Sequence, residues 1–194
     1  DSVYTQANAW FTQEAGVELA QLNAFNPLAV MTMAMAITQQ KYFPNRPGEI
    51  QLDTYFQEMA KKEGKPVMGL ETIQMQIKAL FGSITMDRQV DLLHEVMRQK
   101  EGLKQLIGLM NTHYVAQDLK GLHALMYGGS YEEGEIKALL DDRNLYWMGQ
   151  LPSLMEKHSL FVAVGALHFT GPTGLVQQLR EKGYTVTPVN LHHL

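Results

Sequence analysis

The sequence predicts an α/β fold: helix-rich, with a small, mainly parallel sheet, a long helical insertion and a C-terminal βαβ unit. Three observations carry this. Ser159 to Gly165 (SLFVAVG) is an uninterrupted β-prone run, the pattern of a strand buried on both faces. A glycine-opened helix and a second β-prone run follow it, which makes a βαβ unit of about 30 residues with a right-handed crossover. From Thr85 to His158 the apolar spacing is helical almost throughout, which puts the helical insertion at about 72 to 158.

The elements follow in chain order. Ser2 to Glu14 places Val3, Ala7, Trp10 and Phe11 at helical spacing, and Gly16 breaks it. Asn26 is an N-cap with Pro27 in the first turn, opening a helix to about Tyr42. Pro44-Asn45-Arg46-Pro47-Gly48 is a loop by its turn residues. Asp53 to Lys62 is a helix with Phe56, Met59 and Ala60 inward, and Gly64 is its C-cap. Lys65 to Leu70 is a short strand. Glu71 stands at its carboxyl end, and Thr72 caps the next helix. Within the insertion, Val90, Leu93 and Met97, then Leu103, Leu106, Ile107 and Met110, repeat at helical intervals, with a break at Gly128-Gly129. Pro152 divides the helix from Tyr146 to Lys157. Gly171-Pro172-Thr173-Gly174 opens a helix through Glu181, Gly183 stops it, and Tyr184 to Val189 is the last strand.

Composition narrows the function. At 194 residues and 45% hydrophobic, the chain is one globular domain, long enough to bury a core. A net charge of −4 argues against a nucleic-acid or anionic-membrane surface, which needs clustered Lys and Arg. With no cysteine there is no disulfide, thiolate nucleophile or Cys-based zinc site. No run of about 20 apolar residues exists to span a bilayer. The chain opens on Asp1 without an initiator Met, as a processed or trimmed product does, so a targeting segment is not excluded. Phosphate loops, Gly-x-Ser-x-Gly elbows and His-Glu-x-x-His motifs are missing from the sequence.

Three residues stand out. His168 follows Gly165 at the carboxyl end of a predicted strand, where ligands of open α/β sheets bind. An imidazole there serves as metal ligand or as acid/base, or else caps the turn. Glu71 ends the other predicted strand. It is a metal ligand or general base beside His168, or it caps a helix or pairs with Arg143. Arg143 carries a planar fork suited to a carboxylate, so it orients Glu71, holds a substrate or lies in solvent. Met31, Met33 and Met35 read as core packing rather than as copper ligands, because i and i+2 do not share a helix face. Trp147 reads as core, Asn144 as a weaker candidate, and His192-His193 as surface tail.

The segment VAVGALHFTGPTGLVQQLREKGYTV resembles the C-terminal signature of TraB/GumN proteins: a strand, Gly-x-x-His, Gly-Pro-x-Gly-Leu, then a helix ending before Gly-Tyr-x-Val. Gly64-Lys65-Pro66-Val67 with Gly69-Leu70-Glu71-Thr72 resembles the family's central block. Asp142-Arg143-Asn144 with Trp147 resembles its Arg-Asn block. The family includes the pheromone-shutdown proteins and the Tiki proteases. The resemblance implies a metal-dependent hydrolase acting on a peptide or small molecule, with His168 and Glu71 as metal ligands, a divalent ion as cofactor and Arg143 as orienter. The rival it leaves open is a non-catalytic peptide-binding or regulatory protein. One departure is plain. The family's first Gly-x-x-His and a following Glu sit on N-terminal strands, and this sequence has only the motif at 165–168. The expectation is therefore a domain lacking those strands, with half a site and an open sheet edge through which it forms a homodimer. Family members are often exported, so the cell envelope, periplasm or exterior is the expected place, with the cytoplasm still open.

Overall fold

The computed structural model describes residues 2–44, 48–98 and 100–189. The helices are α1 Ser2–Ala15, α2 Pro27–Tyr42, α3 Leu52–Lys62, α4 Ile73–Ile77, α5 Met86–Arg98, α6 Lys100–Val115, α7 Leu119–Tyr127, α8 Glu133–Ile136, α9 Asp142–Met148, α10 Leu151–Met155 and α11 Leu175–Glu181. Local chemistry sets most boundaries. Asn26 caps α2 by accepting from the Ala29 amide at 2.8 Å, with Pro27 at its first position. Thr72 caps α4 through the Met75 amide at 3.2 Å. Gly16, Gly64 and Gly183 adopt positive φ just past α1, α3 and α11, the conformation a helix stop needs.

Two cores form. The larger joins α1, α2, α5 and α6 around Trp10, Phe11, Leu28, Met31, Leu92, Leu93, Met97, Leu103 and Ile107. Met31 is buried in it, and Met33 and Met35 pack against its margin, as core methionines rather than ligands. The smaller joins α9, α10 and α11 through Trp147, Met148, Leu151 and Leu175.

The expected α/β architecture is overturned. Among the described residues there is no strand, hence no parallel sheet, no βαβ unit and no sheet edge for a homodimer to share. The stretch 72–158 is mostly helical, as α4 to α10, but with no strand on either side among the described residues it is not an insertion into a sheet. The three predicted strands form no regular element: among the described residues, 66–69, 159–164 and 185–189 take part in no backbone–backbone hydrogen bond. Propensity fits a segment to a pleated surface, but only a neighbouring strand makes it a sheet. The run at 159–165 also differs in burial. Val162 and Val164 lean on the smaller core while Phe161 is 73% exposed, so one face is covered rather than two.

Two smaller expectations also change. Helix α3 forms with no fully buried residue: Met59 is exposed, while Phe56 and Ala60 are half-buried, Phe56 meeting the rings of Phe161 at 4.6 Å and Tyr55 at 5.5 Å. The division near Pro152 falls earlier, at Gly149-Gln150, with Pro152 inside the first turn of α10. Residues 45–47 of the predicted loop, and the tail histidines His192 and His193, lie outside the described residues.

Candidate functional site

The site is built by three segments meeting above the smaller core. The first is the loop that bends at Leu70 and Glu71. Gln150, between α9 and α10, holds it by donating from Nε2 to the Leu70 carbonyl at 3.0 Å. The second is α9, entered through a π-helical turn at Lys137–Asp141. A π turn adds a residue to the helical register and releases a carbonyl from the ladder. Here Arg143 takes the Leu139 carbonyl, donating from Nη1 at 3.1 Å. The third is a 3₁₀ turn, Ala166–Phe169, closed by the His168 amide on the Gly165 carbonyl at 3.0 Å. His168 therefore projects from a turn packed against α9, not from the mouth of a sheet.

The glycines of this third segment are not equivalent. At Gly165 a Cβ would meet His168 Cδ2 at 3.7 Å, an ordinary contact, so close approach does not demand glycine there. At Gly174 a Cβ would lie 2.3 Å from the Thr170 carbonyl oxygen and 2.6 Å from that of Phe169. Gly171 has φ +75°, and a Cβ on it would touch the His123 ring at 3.0 Å. The Gly-Pro-Thr-Gly stretch is thus a steric requirement for folding the chain back between the turn and α11.

Glu71, Arg143 and His168 come together. Arg143 donates from Nη2 to Glu71 Oε1 at 2.6 Å and from Nε to Oε2 at 3.1 Å, a bidentate fork. Arg143 Nη1 also lies 3.2 Å from His168 Nε2. The Glu71 and Arg143 side chains are 9% and 17% exposed. Trp147 lies beside them, its ring 4.5 Å from that of His168 and 5.0 Å from the guanidinium carbon. Burial, then the positive charge of Arg143, pushes the His168 imidazole down to about 4, with Glu71 opposing in part. His168 is therefore neutral at physiological pH.

Asn144 and Thr173 complete the network, and sequence reasoning underrated them. Asn144, 1% exposed, places Oδ1 2.8 Å from His168 Nδ1. Its Nδ2 donates to the carbonyls of His168 at 3.3 Å and Thr173 at 3.0 Å. Thr173 donates its hydroxyl to Asp141 at 2.5 Å. The available signal was adjacency: a polar residue directly after Arg143, one helical step around, faces the same turn. On the far side His123 of α7 meets Thr170 Oγ1 at 3.1 Å and stacks on Tyr127.

The resemblance implies a divalent ion on Glu71 and His168. Both donors face a guanidinium, which has no lone pair to offer a metal and whose charge repels one. A catalytic zinc takes about three protein ligands. Among the described residues no group of three His, Cys, Asp or Glu could hold an ion. The residues present do not fit a metal as they stand.

An apolar groove of about 510 Å³ opens on the smaller core, and none of Glu71, Arg143 and His168 lines it. Leu151 and Met155 of α10, Leu175 and Leu179 of α11, Phe169 and Leu160 line it. Phe169 joins the two features, since it follows His168 directly. No helix of the described residues is long and apolar enough to cross a membrane.

Neither a curated protein nor a solved structure matches the chain. The model of the TraB/PrgY/gumN family matches residues 2–188, nearly the whole sequence and all three segments of the site. The chain belongs to the TraB/PrgY/gumN family.

Proposed function

We propose that this chain carries the polar centre of a hydrolase whose substrate is a peptide or a small molecule bearing an anionic group. One observation carries the reading. Glu71, Arg143 and His168, from segments 72 and 25 residues apart, meet at hydrogen-bond distance, and His168 is followed directly by Phe169, which lines an apolar groove. Convergent polar groups at the margin of an apolar pocket are what small-molecule and peptide sites share. Membership of the family supports it, and the guanidinium of Arg143 engages both Glu71 and His168.

In this reading Arg143 is the substrate handle. Its fork suits a carboxylate of substrate as well as it suits Glu71. Drawing the guanidinium toward substrate uncovers His168 Nε2 and removes the charge that helps depress its pKa. The imidazole then takes a proton from an attacking water and returns it to the leaving group. Glu71 holds Arg143 in place until substrate arrives. The test is His168→Gln and His168→Ala in a peptide-cleavage assay, with and without chelator, alongside thermal melts. Cleavage should fall at least about 100-fold in variants that remain folded. Undiminished cleavage by a folded His168→Ala variant refutes the role.

A second reading is favoured by the groove itself. Ser159, Leu160, Val162 and Val186 line it, from segments that take part in no backbone–backbone hydrogen bond among the described residues, and a peptide strand pairs with such unpaired backbone. Both carboxylate oxygens of Glu71 are already engaged by Arg143. A protein that binds peptide without turning it over needs no more than this. Saturable binding of an apolar peptide with no cleavage product separates this reading from the first.

A further inference from the structure

We propose that Asn144 is a positioning residue that fixes His168 in the Nδ1–H tautomer, leaving the Nε2 lone pair as the one reactive position of the ring. Two independent routes lead to the same assignment. The first starts at Asn144. Its Nδ2 lies between two backbone carbonyls, those of His168 and Thr173, which can only accept. That end of the amide must be the NH₂, so the end 2.8 Å from His168 Nδ1 is the oxygen. An amide oxygen only accepts; Nδ1 must therefore carry the proton. The second starts at Arg143, whose guanidinium only donates. Its Nη1 stands 3.2 Å from Nε2, which must therefore present a lone pair.

The two ends of the ring are thus read by groups of opposite character, an obligate acceptor at Nδ1 and an obligate donor at Nε2. The Nε2–H tautomer would break both contacts at once, putting a lone pair against the amide oxygen and an N–H against an N–H. Asn144 is also almost fully buried, so no water competes for its bonds. Its place next to Arg143 on α9 has a purpose: consecutive residues of one helix grip the two nitrogens of one ring. Aspartate at 144 would accept from Nδ1 but would set its other oxygen against two carbonyls. Only an amide serves all three contacts.

This inference builds on the proposed role of His168, but it concerns the resting protein and needs no substrate. Long-range ¹H–¹⁵N correlation spectra of the full chain, with ¹⁵N-labelled histidine, read the proton position directly at neutral pH. The His168 signal is identified by its loss in His168→Gln. In the wild type, Nδ1 should be of the protonated type and Nε2 of the unprotonated type, the other tautomer being at least about tenfold rarer, the ratio one net hydrogen bond supports. In Asn144→Ala the preference should fall measurably toward a mixture. An Nε2–H signal in the wild type overturns the proposal whether or not any variant folds. An unchanged tautomer in a folded Asn144→Ala also overturns it. Failure of His168→Ala to lose cleavage would sink the hydrolase reading and leave these spectra untouched, so the two failures are distinct.

Discussion

Arg143 spans Glu71 and His168 with one guanidinium, its Nη2 and Nε on the two carboxylate oxygens and its Nη1 on the ring nitrogen. The ion pair is mostly sheltered from water, which raises the cost of breaking it more than the benefit of having it.

Removing the cation alone is therefore the damaging change. Arg143→Ala leaves a buried carboxylate without its partner and should cost about 3 kcal/mol in urea unfolding. Arg143→Lys should recover only part of this, because an ammonium cannot reproduce the fork. A lysine variant as stable as the wild type would mean that the bidentate geometry has no energetic role.

Acid should weaken the fold through His168. Folded, the imidazole stays neutral down to about 4. Unfolded, it takes up its proton near 6.5. Between these values the unfolded chain binds the extra proton, so stability falls as pH drops through the window and rises with pH across it. The loss from this group is complete by about pH 4 and amounts to at most about 3 kcal/mol. Urea midpoints at about pH 7 and about pH 5 for the wild type and His168→Gln check it. The glutamine variant should show the shallower dependence, and parallel slopes would disprove the shift.

Gly174 should tolerate no side chain. A Cβ would press on the carbonyls of Thr170 and Phe169, which are backbone and cannot step aside cheaply. Gly174→Ala should cost about 3 kcal/mol, at the upper end of overpacking penalties. Gly165→Ala, facing only ordinary contact, should cost markedly less. Thermal melts of the two variants compare them, and equal losses would contradict the steric reading of the motif.

These residues also show what was legible in advance. The caps at Asn26 and Thr72 and the stops at Gly16, Gly64 and Gly183 were readable because each depends on a few neighbouring residues. The strands were misread because pairing is not local. The run from Leu160 to Val164 has the chemistry of a strand and, among the described residues, no backbone neighbour to bond. The pairing of Glu71 with Arg143 stood among the alternatives for both residues, and the fold selects it. Asn144 was undervalued because its bonds reach a turn 24 and 29 residues away. The π turn before Arg143 has no residue signature, since its register shift arises from packing.

The joining of position 71 to position 143 is tested most directly by a double-mutant cycle on folding stability, with Glu71→Gln, Arg143→Ala and the pair. Residues bonded through a sheltered fork should couple by about 2 kcal/mol, the double variant losing less than the two single losses together. Losses that add to within about 0.5 kcal/mol would mean that the two side chains do not meet, and the polar centre as described would not exist.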